Sequence, residues 1–158
     1  MALRMKWTRQ RCQLVARTFF AAALRPSWLP STLAPLLAWS QTEIDPRLNA
    51  LLLNWYDGTL GHYIGAHRDD EKELIEGAPI ITISFGDSRT FRLRRWRTKE
   101  TFIDIVVTDG SVLVLPYTTN MTFTHQVPKS TRQTGKRIDP AAKLIEHAAT
   151  SSLVLLCH

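Results

Sequence analysis

From Leu48 onward the chain breaks into short apolar runs, "ALLLNWY", "PIITISF", "TFRLRRW", "FIDIVV" and "SVLVLPY", separated by Gly- and Asp-bearing turns such as "DGTLG" and "DGS". Runs of this length and spacing predict strands, and their number predicts a β-sandwich or jelly roll. Within "TFRLRRW" the period of two puts Phe91 and Leu93 on one face and Arg92 and Arg94 on the other. The two ends read differently. In "MALRMKWTRQRCQLVARTFFAAALR" Leu14, Val15, Thr18 and Phe19 recur by threes and fours, as on a helix. Pro26, Pro30 and Pro35 then punctuate the chain and forbid one long helix. At the far end "DPAAKLIEHAATSSL" predicts a helix with Asp139 as N-cap and Pro140 in its first turn. The expected organisation is a basic extension over 1–25, a mainly β domain over 26–138 and a divergent helical tail over 139–158.

Composition changes this picture little. The length of 158 residues is that of one domain with tails, and 44% hydrophobic with 22% charged residues suits a packed fold rather than a disordered chain. No apolar run reaches the roughly 18 residues of a membrane-spanning helix, so no membrane association is expected, and the expected state is a monomer. Cys12 and Cys157 lie near opposite ends in no repeated spacing, which predicts free thiols in a reducing, intracellular compartment.

Charge is informative only once mapped. Of the net +6, six cations (Arg4, Lys6, Arg9, Arg11, Arg17 and Arg25) precede the first acid, Glu43, and the remaining 14 Lys and Arg match 14 Asp and Glu. Basicity therefore belongs to the leader. An Arg-rich, acid-free leader reads as an organelle transit peptide, as a basic terminal helix, or as the product of a start codon placed too far upstream. Cytoplasm, nucleus and organelle all stay open.

The chemistry gathers around "HYIGAHRDDE". His67 and Asp69 are two apart, and in an extended segment such residues project together. The distant His125 of "FTHQV" closes a set of two imidazoles and one carboxylate, the facial arrangement that suits non-haem Fe(II) with open positions for a cosubstrate and dioxygen. A His-x-Asp tripeptide alone is more often a polar loop. Asn54 and Tyr56 lie two apart in the apolar run "LLLNWYDG", where unpaired burial is costly; they are either a turn residue and a satisfied core tyrosine, or groups that hydrogen-bond a ligand. Arg137 in "GKRI" offers a planar fork for a carboxylate.

Together "NALLLNWYDGTLGHYIGAHRDDE", "PIITISFGDSRTFRLR", "DGSVLVLPYTTNMTFTHQVPKS" and "GKRI" resemble the AlkB-like Fe(II)- and 2-oxoglutarate-dependent dioxygenases, over roughly residues 28–138. The resemblance implies a double-stranded β-helix, with His67, Asp69 and His125 as iron ligands. It implies that Asn54 and Tyr56 contact 2-oxoglutarate, and that Arg137 takes that molecule's distal carboxylate. Glu71 then matches a position where some members read the exocyclic amino group of the damaged base. Tyr63 and His62, just before His67, are candidates to line the base pocket, and packing explains Tyr63 equally well. The activity implied consumes 2-oxoglutarate and O2, hydroxylates an N-methyl carbon of alkylated DNA or RNA, and releases formaldehyde and the repaired base. Such a base must be flipped out or presented single-stranded.

Arg92 and Arg94, within the basic run "SRTFRLRRWRTK", read equally as phosphate contacts or as a solvated hairpin face. Members of the family continue in the pattern Arg-x5-Arg, and Lys143 stands at that spacing from Arg137. A point charge there replaces a planar fork, and Pro140 argues against an interior strand. The jelly roll is therefore expected to fall short at its C-terminal end. Two alternatives to nucleobase demethylation stand: the same chemistry on another substrate, and a degenerate member that binds without catalysis.

Overall fold

Residues 31–69, 74–130, 135–146 and 152–157, the last as a backbone strand, are described by a computed structural model. The extension over 1–25 with Cys12, the Asp70–Glu71 pair, and the side chain of Cys157 lie outside the described residues.

Each predicted apolar run forms a strand. These are β1 (Ala50–Asp57), β3 and β4 (Ile80–Ile83 and Phe85–Gly86), β5 (Arg89–Arg95), β6 (Thr101–Val107) and β7 (Val112–Leu115). Four further strands complete the set: β2 (Ile64–His67), β8 (Phe123–Val127), β9 (Lys136–Lys143) and β10 (Ser152–Cys157). They make two sheets. One runs β10-β1-β9-β3-β7, with β4 also on β9, and the other runs β2-β8-β5-β6. Except for the parallel β1–β10 pair, the ladders are antiparallel. This is the jelly roll.

Both faces of the larger sheet are covered. On its outer face Leu51, Ile81 and Ala142 pack with Leu37 of helix α1 (Ala34–Glu43). On its inner face Ile80, Leu115 and Ala141 meet Leu93 of the smaller sheet, with Leu52 and Phe91 against them. Leu51 and Ile81 are almost fully buried, each contributing about 1.5–3 kcal/mol. Helix α1 begins at the last of the punctuating prolines: Pro35 sits in its first turn, where a missing N–H leaves no bond unmade. The six-residue helix α2 (Tyr117–Thr122) leads into β8.

The C-terminal expectation is corrected. Asp139 and Pro140 lie inside strand β9, not at the start of a helix, and the boundary set at 138 falls in mid-strand. β9 is an interior strand, between β1 and β3. It tolerates Pro140 because its ladder lapses there: β3 pairs at Ile81–Ala142 and Thr82–Ala141, β4 resumes at Phe85–Ile138, and Pro140 and Asp139 are unpaired on that side. The missing N–H falls at this interruption. The strand expected to be lost is therefore present, and its packing with β1 outweighs the local capping signal. Gly86 permits β4 to lie close to β9, since at φ 98° a Cβ would run into the Lys136 carbonyl oxygen.

Candidate metal centre and cosubstrate cavity

Register brings the predicted ligands together. In the β2–β8 ladder His67 stands directly opposite His125, with ring centroids 4.3 Å apart. Asp69 follows β2, and its Oδ1 lies 3.6 Å from His67 Nε2 and 3.9 Å from His125 Nε2. The donor atoms of all three fall within 4.8 Å of one another, the one such group among the described residues. A cation bonded at about 2.1 Å bridges donors up to about twice that distance apart, so the two Asp69 separations fit a shared ion.

The surroundings orient each ligand. His67 Nδ1 lies 2.8 Å from the Gly65 carbonyl oxygen; donating its proton there leaves Nε2 free to face the other ligands. Phe91 stacks on the His125 ring at 5.6 Å. Burial, only partly offset by Asp69, depresses the His125 pKa to about 4, so its imidazole is neutral and ready to ligate near neutrality. The buried amide of Asn120, on α2, grips the Asp69 backbone from both sides: the Asp69 N–H donates to Oδ1 at 3.0 Å, and Nδ2 donates to the Asp69 carbonyl oxygen at 2.7 Å.

Lys143 comes from the facing sheet. Its Nζ is 3.2 Å from Asp69 Oδ2, so one carboxylate oxygen turns toward the imidazoles and the other toward an ammonium. Burial alone would raise the Asp69 carboxyl, but Lys143 foremost, with His125 and His67, outweighs it and holds the pKa below its ordinary value. Lys143, a cosubstrate candidate by its place in the Arg-x5-Arg spacing, pairs here with a candidate metal ligand.

The residues expected to contact cosubstrate lie on β1 and β9, where Asn54 is opposite Asp139 and Tyr56 opposite Arg137. Tyr56, Arg137 and Asp139 are buried. Burial, reinforced by the Asp139 charge, pushes the Tyr56 phenol well above its usual range. Arg137 and Asp139 line a small cavity with Ser84, Arg89, Thr90 and Phe91.

The substrate side is less assembled. Arg92 is held bidentately by Asp104 at 2.6 Å for both contacts, and Arg94 Nε donates to the Lys99 carbonyl oxygen at 2.6 Å, so both serve the β5–β6 hairpin. Tyr63 is exposed, while the His62 ring is turned in to the Asp57 N–H and the edge of Trp55. Exposed Trp96 carries two cations, the Arg68 guanidinium 4.2 Å and Lys99 Nζ 3.9 Å from its ring centre.

Sequence reasoning missed Asn120, Asp139 and Arg89. For Arg89 a signal existed: it shares the parity of Phe91 and Leu93 and so belongs to the inner face. Its guanidinium is buried, with Nη2 on the carbonyl oxygens of His62 and Pro128. For Asp139 the signal was its two-residue spacing from Arg137, which puts both on one face of a strand; Asn120 carried none, since its partner Asp69 is 51 positions away.

Comparison with known proteins agrees with this geometry. Human DNA oxidative demethylase ALKBH2 is 31% identical over 130 residues, covering 77% of this chain and 49% of its own. The mouse ALKBH2 is 35% identical over 98 residues, covering 58% and 41%. Rat alpha-ketoglutarate-dependent dioxygenase alkB homolog 3 is 29% identical over 122 residues, covering 72% and 41%. The chain thus spans about half the length of the curated relatives it matches. Among solved structures OsALKBH1 aligns with a TM-score of 0.47 at 17% identity, over 56% of this chain and 46% of that one. The profile of the 2OG-Fe(II) oxygenase superfamily matches residues 6–149, and with its two-histidine, one-carboxylate centre inside a jelly roll the chain belongs to that superfamily.

Proposed function

We propose that the protein is an Fe(II)- and 2-oxoglutarate-dependent dioxygenase that removes N-alkyl groups from nucleobases in DNA or RNA. The observation that carries the reading is that the β2–β8 pairing brings the distant His125 to the His67–Asp69 pair. These residues would hold Fe(II), which when bound supplies the oxidation of the alkyl carbon by O2 and 2-oxoglutarate. The neutral His125 imidazole and an ionised Asp69 carboxylate suit a bound cation, and Asn120 fixes the Asp69 backbone.

The nucleic-acid part of the reading is supported by the demethylase relatives. The cations on Trp96 add a surface suited to a phosphate backbone: Arg68 adjoins metal ligand His67 in sequence, and Lys99 lies on the same hairpin as Arg95. Tyr63, exposed before β2, and Glu71, after the iron loop, are proposed to face the extruded base.

The test is an anaerobic titration with Fe(II) and 2-oxoglutarate, followed by aerobic turnover of oligonucleotides bearing N-methylated bases. The expected result is a metal-to-ligand charge-transfer band that is lost in His67→Ala, and formaldehyde release from the oligonucleotide. A band without formaldehyde from DNA or RNA would redirect the search to other substrates. No band in folded protein would favour a non-catalytic binding role.

A further inference from the structure

The buried pair Arg137–Asp139 does not behave as an open carboxylate receptor. The Arg137 Nε–H lies 2.8 and 2.9 Å from the two oxygens of Asp139. Its Nη1 donates to the carbonyl oxygens of Asp87 at 3.0 Å and Val107 at 2.8 Å, and Nη2 donates to Ser84 Oγ at 2.6 Å. A guanidinium has five N–H groups; these contacts engage four of them. What is left cannot form the parallel two-bond fork by which arginine grips an incoming carboxylate. A second anion arriving at Arg137 would also meet the Asp139 carboxylate, itself 4% exposed and lining the same cavity.

Resting on the reading of this cavity as the 2-oxoglutarate site, we propose that Asp139 is an internal competitor for the cosubstrate's distal carboxylate, and that it sets cosubstrate affinity and specificity. Asp139 already occupies the cation that would otherwise distinguish 2-oxoglutarate from shorter 2-oxo acids. Arg89 lines the cavity as well, so Arg89, Arg137 and Asp139 together carry one net positive charge, and removing the Asp139 charge would leave two. The site as built discriminates weakly between a 2-oxo acid with a distal carboxylate and one without it. Asparagine at 139 would keep the shape and an oxygen for the Arg137 Nε–H while removing the competing charge.

The experiment is anaerobic titration of the Fe(II)-loaded protein with 2-oxoglutarate and with 2-oxobutanoate, which has the chelating end and no distal carboxylate. The charge-transfer band reports binding of each. Asp139→Asn is expected to tighten 2-oxoglutarate roughly tenfold or more, the scale of one charge-assisted contact in a buried site, and to leave 2-oxobutanoate unchanged. Asp139→Ser, which also lacks the charge, should move 2-oxoglutarate in the same direction and guards against a folding defect in one variant. Equal 2-oxoglutarate affinity in wild type and both variants, or equal gains for both acids, would overturn the proposal while leaving the cosubstrate site in place. If neither acid binds any of the proteins, the reading of the cavity falls and the proposal with it.

Discussion

Replacing Lys143 by methionine tests how the metal centre is balanced electrostatically. Lys143 Nζ lies 3.2 Å from Asp69 Oδ2, with side chains only 5% and 10% exposed, so solvent screens the pair little. At an effective dielectric near 20 the attraction is about 5 kcal/mol. Part of this is offset, because methionine removes the cost of burying the ammonium. Asp69, however, keeps its buried charge beside imidazoles of which His125 is neutral near pH 7. A net loss of about 3 kcal/mol in the metal-free protein is expected, the scale of a broken buried pair. With a urea m-value of about 2 kcal/mol/M, the midpoint falls by roughly 1.5 M. A divalent ion on the Oδ1 side restores a positive partner, so the same comparison in excess Mn(II) should show less than half that loss. Lys143→Arg should recover most of the stability. A metal-free loss below about 0.5 kcal/mol, or a loss equal with and without Mn(II), would refute the idea that Lys143 and a metal share this carboxylate.

Other outcomes follow from the same geometry. Asp69→Ala and His67→Ala should each abolish retention of iron after desalting, and near-stoichiometric iron in either would sink the ligand assignment. Asn120→Ala touches no metal directly, yet by releasing the Asp69 backbone it should weaken Co(II) or Mn(II) binding by about 10–100-fold, read by competition with a chelating dye. Arg137→Ala should cost about 3–5 kcal/mol in a denaturation curve, because it strands Asp139 as a buried unpaired carboxylate. In the metal-free protein His125 should make stability pH-dependent. Its folded pKa of about 4 lies below the ordinary 6.5, so the unfolded chain takes up the proton first. Its contribution is complete above about pH 6.5 and is lost as pH falls toward 4; urea midpoints at pH 7 and 5 would show this, and His125→Asn should flatten that part of the profile.

The short apolar runs bounded by turn residues were enough to place β1, β3, β5, β6 and β7, and in β5 the period of two also told the inner face, with Phe91 and Leu93, from the outer. Two of the candidate ligands were legible from spacing: the two-residue interval of His67 and Asp69 puts both on one side of an extended segment. The end of the domain was misread. "DPAAK" carries a good helix-start signal, and propensity is a weak prior beside the ladder β9 makes with β1 from Lys136 to Lys143.

What the sequence by itself made legible is therefore the jelly-roll class and the candidate pair His67 and Asp69, since both rest on local periodicity and residue chemistry, whereas strand pairing brings His125 to them. Tertiary structure alone decided who faces whom. Strand register set Asn54 against Asp139 and Tyr56 against Arg137, the packing of two sheets brought Lys143 to Asp69, and a six-residue helix carried Asn120 to the backbone of a residue 51 positions away. Buried charges must find partners: Arg137 finds Asp139 two positions along the same strand, but Asp69 finds Lys143 only through the packing of the two sheets, which no pattern within a single strand records.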